Sequence, residues 1–135
     1  MNTTRLDYLA KKPPRRRRRA GVSSQPPPAV ALTLVEASFD ENAPAVRLIF
    51  DRAIDIASLD GAQIVVDAGN VTGSRYEATG AASLDGTDAV VIGLVVLGAS
   101  ITFSTLLTAG ATTGIVAIDD GGTWAGVTDL GLPYP

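Results

Sequence analysis

Cysteine and histidine are both absent from this 135-residue chain, and lysine occurs only at Lys11 and Lys12. Without a thiol there is no disulfide framework and no cysteine nucleophile. Without an imidazole the usual general base near neutral pH and the commonest zinc ligand are missing. Beyond residue 28 there is no lysine either, so the composition predicts a protein without catalytic activity and without a cofactor. The carboxylates Asp51, Asp55 and Asp60 lie close together in sequence, but nothing in their spacing selects the paired-acid geometry of a glycosidase.

Long apolar runs are also lacking. The longest, Ala89 to Leu97, has the length of a strand and falls short of the ~18 residues that a membrane span needs, so no membrane partner is expected. Arg15 to Arg19 are followed by Ala20-Gly21-Val22-Ser23-Ser24-Gln25 and three prolines. A secretory signal would place an apolar stretch there, and the mature protein is therefore expected to begin at Met1 or Asn2.

What the chain does have is divided sharply near residue 28. Residues 1–28 hold eight Lys/Arg against Asp7, a net charge of +7. Residues 29–135 hold Arg47, Arg52 and Arg75 against thirteen Asp/Glu, a net charge of −10. The overall −3 describes neither part, and the chain reads as an Arg/Pro-rich arm, 1–28, followed by an acidic domain, 29–135.

In the arm, residues 3–12 have the signature of one or two helical turns, with Thr4 as N-cap and Pro13-Pro14 as the stop, too short to stand alone in water. Leu6, Tyr8 and Leu9 form a small apolar plug expected to order on a partner. Residues 13–28 cannot build a core and favour extended backbone, with a reach on the order of 50 Å.

From Ala29 onward, short β-branched runs alternate in period two between Gly, Asp, Asn and Ser clusters, the pattern of antiparallel strands. Seven are expected. They run from Val30 to Ser38, Ala45 to Asp51, Gln63 to Asp67, Gly73 to Thr79 (a polar edge), Ala89 to Leu97 (central and covered on both faces), Ser100 to Thr108, and Gly114 to Ile118. A helical turn is expected at Ile54 to Leu59 and a hairpin turn at Asp85-Gly86-Thr87-Asp88. The expected core contains Val46, Leu48, Phe50, Ile64, Val90, Ile92, Leu94, Ile101, Phe103 and Ile115, with Trp124 as a plug at one end. Seven short strands in about 107 residues match an all-β, seven-stranded antiparallel immunoglobulin-like sandwich, with an eight-stranded jelly roll as the runner-up.

The segments Val46-Arg47-Leu48-Ile49-Phe50-Asp51, Ala57-Ser58-Leu59-Asp60-Gly61 and Ile115-Val116-Ala117-Ile118-Asp119-Asp120-Gly121-Gly122 resemble the bacterial and phage Ig-like domains found in surface and virion proteins. The resemblance spans residues 30–122 and implies a sandwich fold; such domains serve as spacers, adhesins and virion decorations. A single domain and a basic arm depart from the tandem, exported pattern and agree better with a small phage virion protein.

The candidate interaction residues are therefore those of the arm: Leu6, Tyr8, Leu9, Lys11, Lys12, Arg15, Arg16, Arg17, Arg18 and Arg19. Five consecutive arginines suit bidentate contacts to carboxylate or phosphate. An acidic protein surface is favoured over nucleic acid because the −10 domain would be repelled by DNA. Asp119 and Asp120 offer half of a calcium site, but without the D-x-[DN]-x-[DN]-G spacing they read as a turn. The expectation is a structural virion protein, a capsid decoration or stabilising subunit located in the virion and anchored to capsid or other virion subunits by its arm, with homo-oligomeric contacts inside the assembly. The alternatives are a cell-surface adhesion or carbohydrate-binding module and a nucleic-acid-binding protein.

Overall fold

The computed structural model describes residues 28–42 and 44–133. These residues build an all-β unit of nine strands: β1 (Leu34–Asp40), β2 (Ala45–Phe50), β3 (Ile54–Asp55), β4 (Ile64–Ala68), β5 (Ser74–Leu84), β6 (Ala89–Ala99), β7 (Thr105–Ala109), β8 (Val116–Ala117) and β9 (Val127–Gly131). A single 3-10 turn at Gly61–Gln63 precedes β4, where the Asp60 side chain accepts a hydrogen bond from the Ala62 N–H at 3.1 Å.

Seven strands form one antiparallel sheet in the order β1-β2-β6-β5-β4-β7-β9, and β3 pairs with β8 as a separate ribbon. The sheet is curled. Phe39 of β1 and Tyr76 of β5 have two strands between them in the sheet order, yet their ring centroids are 5.5 Å apart. The two edge strands also approach one another: Leu34 and Ala37 of β1 face Leu130 and Leu132 at the β9 end across an open slit. A parallel bridge between Leu32 and Trp124 closes one end of that seam.

The bend is made in the long hairpin. β5 and β6 have eleven residues each, and their register shifts between Ala78, opposite Leu94, and Ala82, opposite Ile92. Three residues of β5, Thr79 to Ala81, thus stand against Gly93 alone, and a bulge of this kind turns a strand sharply. On one side of it β6 pairs with β2; on the other, β5 pairs with β4. The two strand groups share this hairpin and close on a common core.

Strand alternation sets that core. Val46, Leu48 and Phe50 of β2, Ile64 and Val66 of β4, Val90 and Ile92 of β6 and Leu107 of β7 are buried in one cluster. Arg47, between two of them, faces out and pairs with Asp85 at 2.7 Å. Trp124 is buried and meets Phe50 edge-on at 5.3 Å, a geometry that adds about 0.5–1.5 kcal/mol to the area buried.

Several expectations are corrected. Ile101 and Phe103 are 79% and 94% exposed. Residues 101–104 bend instead of extending, and the strand begins at Thr105, so Leu107 and Ala109 take the inward positions. Gly73 to Thr79 is no edge: β5 lies between β4 and β6, because its alternating polar residues cover the outer face of a sheet that is wet on that side. For the same reason β6 is central but covered on one face only, and Val95 and Leu97 are exposed; Val96, on the inner side, is exposed because β2 ends short of it. Ile54 opens the short strand β3 against β8 in place of a helical turn. Val30 is 60% exposed, with Leu32 as the first buried residue of that segment. β9 lay outside every expected strand, since Val127-Thr128-Asp129-Leu130-Gly131 carries an aspartate in the left-handed region at φ 49° and only a broken alternation.

Candidate interaction site

Leu6, Tyr8, Leu9, Lys11, Lys12 and Arg15 to Arg19 lie outside the described residues. What the structure does show is how the chain is held where its described residues begin. Val30 donates its N–H to Asp120 Oδ2 at 3.0 Å, and its carbonyl accepts from the Arg52 guanidinium. Arg52 in turn contacts Asp120 Oδ1 at 3.2 Å and faces Asp119 at 3.4 Å. The Asp119 contact is an ion pair without hydrogen-bond alignment, since Arg52 Nε has no hydrogen-bond partner. Two residues on, Leu32 N–H donates to the Thr123 carbonyl at 2.9 Å.

The turn is shaped to receive the chain. Asp120 Oδ1 accepts from the Gly122 N–H at 2.8 Å, and a Cβ at Gly122 would fall on the Val30 carbonyl oxygen. The hydrogen bonds from the Val30 and Gly122 amides, with the Arg52 charge beside them, hold the Asp120 carboxyl below its ordinary value; partial desolvation opposes them. Asp119-Asp120-Gly121-Gly122, together with Arg52, therefore clamps Val30. Arg52 was legible in the sequence only as one of three arginines after residue 28.

A second feature lies at the opposite end of β1. β2 begins at Ala45, opposite Gly93 of β6, and the last backbone bond between these strands runs from Leu94 N–H to the Pro44 carbonyl at 2.8 Å. Val95, Val96, Leu97, Gly98 and Ala99 continue past the end of β2, paired only to β5. All five are exposed. By strand alternation the Val96 backbone points to the same side as that of Leu94, where no described strand receives it. The signal for this overhang is a mismatch in length, eleven residues in β6 against six in β2.

Ile101 and Phe103 add exposed apolar surface just beyond β6. Beneath Ile101 a cavity of about 240 Å³ holds Asp67 and Arg75. Asp67 is buried and accepts from the Ser100 hydroxyl, while Arg75 Nε has no hydrogen-bond partner.

Comparison with known proteins gives no match: no family model, no curated protein and no solved structure is similar to this chain.

Proposed function

We propose that the protein is a structural assembly subunit, a capsid decoration or stabilising component of a virion, whose acidic β unit sits on a surface and whose basic arm anchors it to neighbouring subunits. The observation that carries this reading is the clamp around Val30. It gives a +7 arm a fixed point of departure from a −10 body, as an anchor requires. The immunoglobulin-like assignment belongs to the same proposal. It is supported by two strand groups closing on one core; against it, they share a bent hairpin and do not form two separate sheets.

Replacing Arg15 to Arg19 with Ser in the full chain tests the anchor. The expected result is a melting temperature nearly unchanged at physiological ionic strength, with incorporation into the native particle abolished. Wild-type occupancy by this variant overturns the reading. Tight DNA binding by the intact chain with a salt slope near −6, as about seven phosphate contacts give, transfers the arm to the nucleic-acid reading.

A further inference from the structure

The overhang of β6 is an unprotected strand edge of unusual composition. Native edges are blunted by lysine, proline, inward charges or a covering segment. Val95-Val96-Leu97-Gly98-Ala99 carries none of the first three; a register shift at Leu97 interrupts its ladder with β5, and the stretch before it, Val95 and Val96, is left regular and open to a covering segment.

We propose that this edge is covered by the chain's own N-terminal segment, Arg5-Leu6-Asp7-Tyr8-Leu9-Ala10, which pairs antiparallel to β6 in line with β2. Reach permits it. The arm departs beside Gly122, and β1 carries the chain from there to Asp40 at the overhang end, eleven residues from Ala29 at about 3.3 Å each, or about 36 Å. Residues 11–28 span on the order of 50 Å when extended, which leaves slack to travel that length.

Direction follows without a reversal of the chain. β6 runs away from the clamp, from Ala89 opposite Ile49 to Ala99 opposite Ser74. An arm followed backwards from Pro28 along the same direction meets residue 10 first and residue 5 last. Read from N to C, that segment runs against β6, as β2 does. It extends the β2 position past Pro44.

Charge favours this occupant over a second copy of the edge. With Leu9 opposite Val95, Ala10 leaves the ladder before Pro44, and Lys11 and Lys12 arrive over the β1–β2 turn, where Asp40 and Glu41 are exposed. Glu77 stands opposite Val95 on the adjacent strand. Pairing two β6 edges from different copies would instead bring these carboxylates toward their equivalents, and like charges opposite one another destabilise a sheet. The alternation of the segment also fits. Leu6 and Tyr8 share one face, suited to the inner side beside Val96, whose neighbour Tyr76 already contacts Phe39. The tether further raises the local concentration of this segment to about the millimolar range, above that of any copy in dilute solution.

This contact is independent of the anchor role given to Arg15 to Arg19, and it replaces for residues 5–10 the expectation that they order only on an external partner. Amide hydrogen exchange of the monomeric full chain tests it, comparing wild type with a Leu6→Asp/Tyr8→Asp variant whose melting temperature reports that the β unit is intact. The expected result is exchange at Val96 that is roughly tenfold slower in wild type than in the variant. Equal exchange in both overturns the proposal, whatever the Arg15 to Arg19 variant does in assembly. Because the chain has no cysteine, a Leu9→Cys/Val95→Cys pair supplies a second readout. An intramolecular disulfide in the monomer supports the proposal. Cross-linked dimers alone assign the edge to another copy and overturn it.

Discussion

Asp120 is the residue on which the clamp around Val30 depends, and its chemistry fixes a pH dependence. Its carboxyl is held below the ordinary value by the Val30 and Gly122 amides and by Arg52. A depressed native pKa means that the group's contribution is fully present above the unfolded-state value and is lost as pH falls through the native one. The protection factor of the Val30 amide, its exchange relative to the intrinsic rate at each pH, is therefore expected to be constant from neutral pH down to the usual carboxylate range and to fall below it. Asp120→Asn, which keeps an acceptor but cannot titrate, is expected to remove that step; a step that persists assigns it to another carboxylate. Residue-scale reading of the sequence was accurate where a side chain's neighbours alternate cleanly. Eight of the ten expected core residues are buried, and the two failures, Ile101 and Phe103, share one cause. Ser100, Thr102 and Ser104 engage one another and nearby backbone: the Ser100 hydroxyl accepts from Thr102 N–H at 3.1 Å and the Thr102 hydroxyl accepts from Ser104 N–H at 3.4 Å. Such local bonds compete with a strand ladder, and hydrophobic alternation alone does not register them.

At the scale of elements, the β5–β6 hairpin organises the unit, and its turn sets its register. Asp85 N–H donates to the Ala89 carbonyl at 2.8 Å, and Gly86 sits at φ 81° with open space around it. Gly86→Ala therefore meets no steric neighbour and incurs only the left-handed backbone strain, about 1–2 kcal/mol. Gly131→Ala in β9, equally open but without a positive φ, is expected to change stability by less than about 0.5 kcal/mol. Denaturant melts of the two variants check the contrast, and equal stabilities would show that the turn does not require the left-handed backbone at Gly86. The turn itself was legible because Asp-Gly between two apolar runs is a strong hairpin signal. The length of β5 was not, because Thr79-Gly80-Ala81 reads as the end of a strand when the register slip that carries the strand onward depends on Gly93 across the ladder.

For the whole molecule the dominant quantity is the separation of charge. The body carries −10, and among the described residues few of its carboxylates are paired: Arg47 engages Asp85, and Arg52 engages Asp119 and Asp120. Self-repulsion of this kind weakens a compact state and is screened within about 10 Å at 0.1 M salt. The Arg15 to Arg19→Ser variant, with five fewer positive charges, is expected to melt below its parent at low ionic strength, by less than about 1 kcal/mol, and to rejoin it near physiological salt. Melting curves that run parallel at all salt concentrations would show that the arm does not compensate the body.

The clamp at Val30 has a mechanical consequence. Tension applied through the arm does not reach the β1 ladder first. It is met by the Val30 bonds to Asp120 and Arg52 and by the Leu32 bond to Thr123, which divide the load between the β1 strand and the loop that carries Trp124. Trp124 is wedged against Phe50, so that loop cannot yield without opening the core. A pull on the tether is thus spread across both sides of the seam between the two edge strands and draws them together, so the curled sheet tightens under traction where a strand anchored at one edge alone would peel.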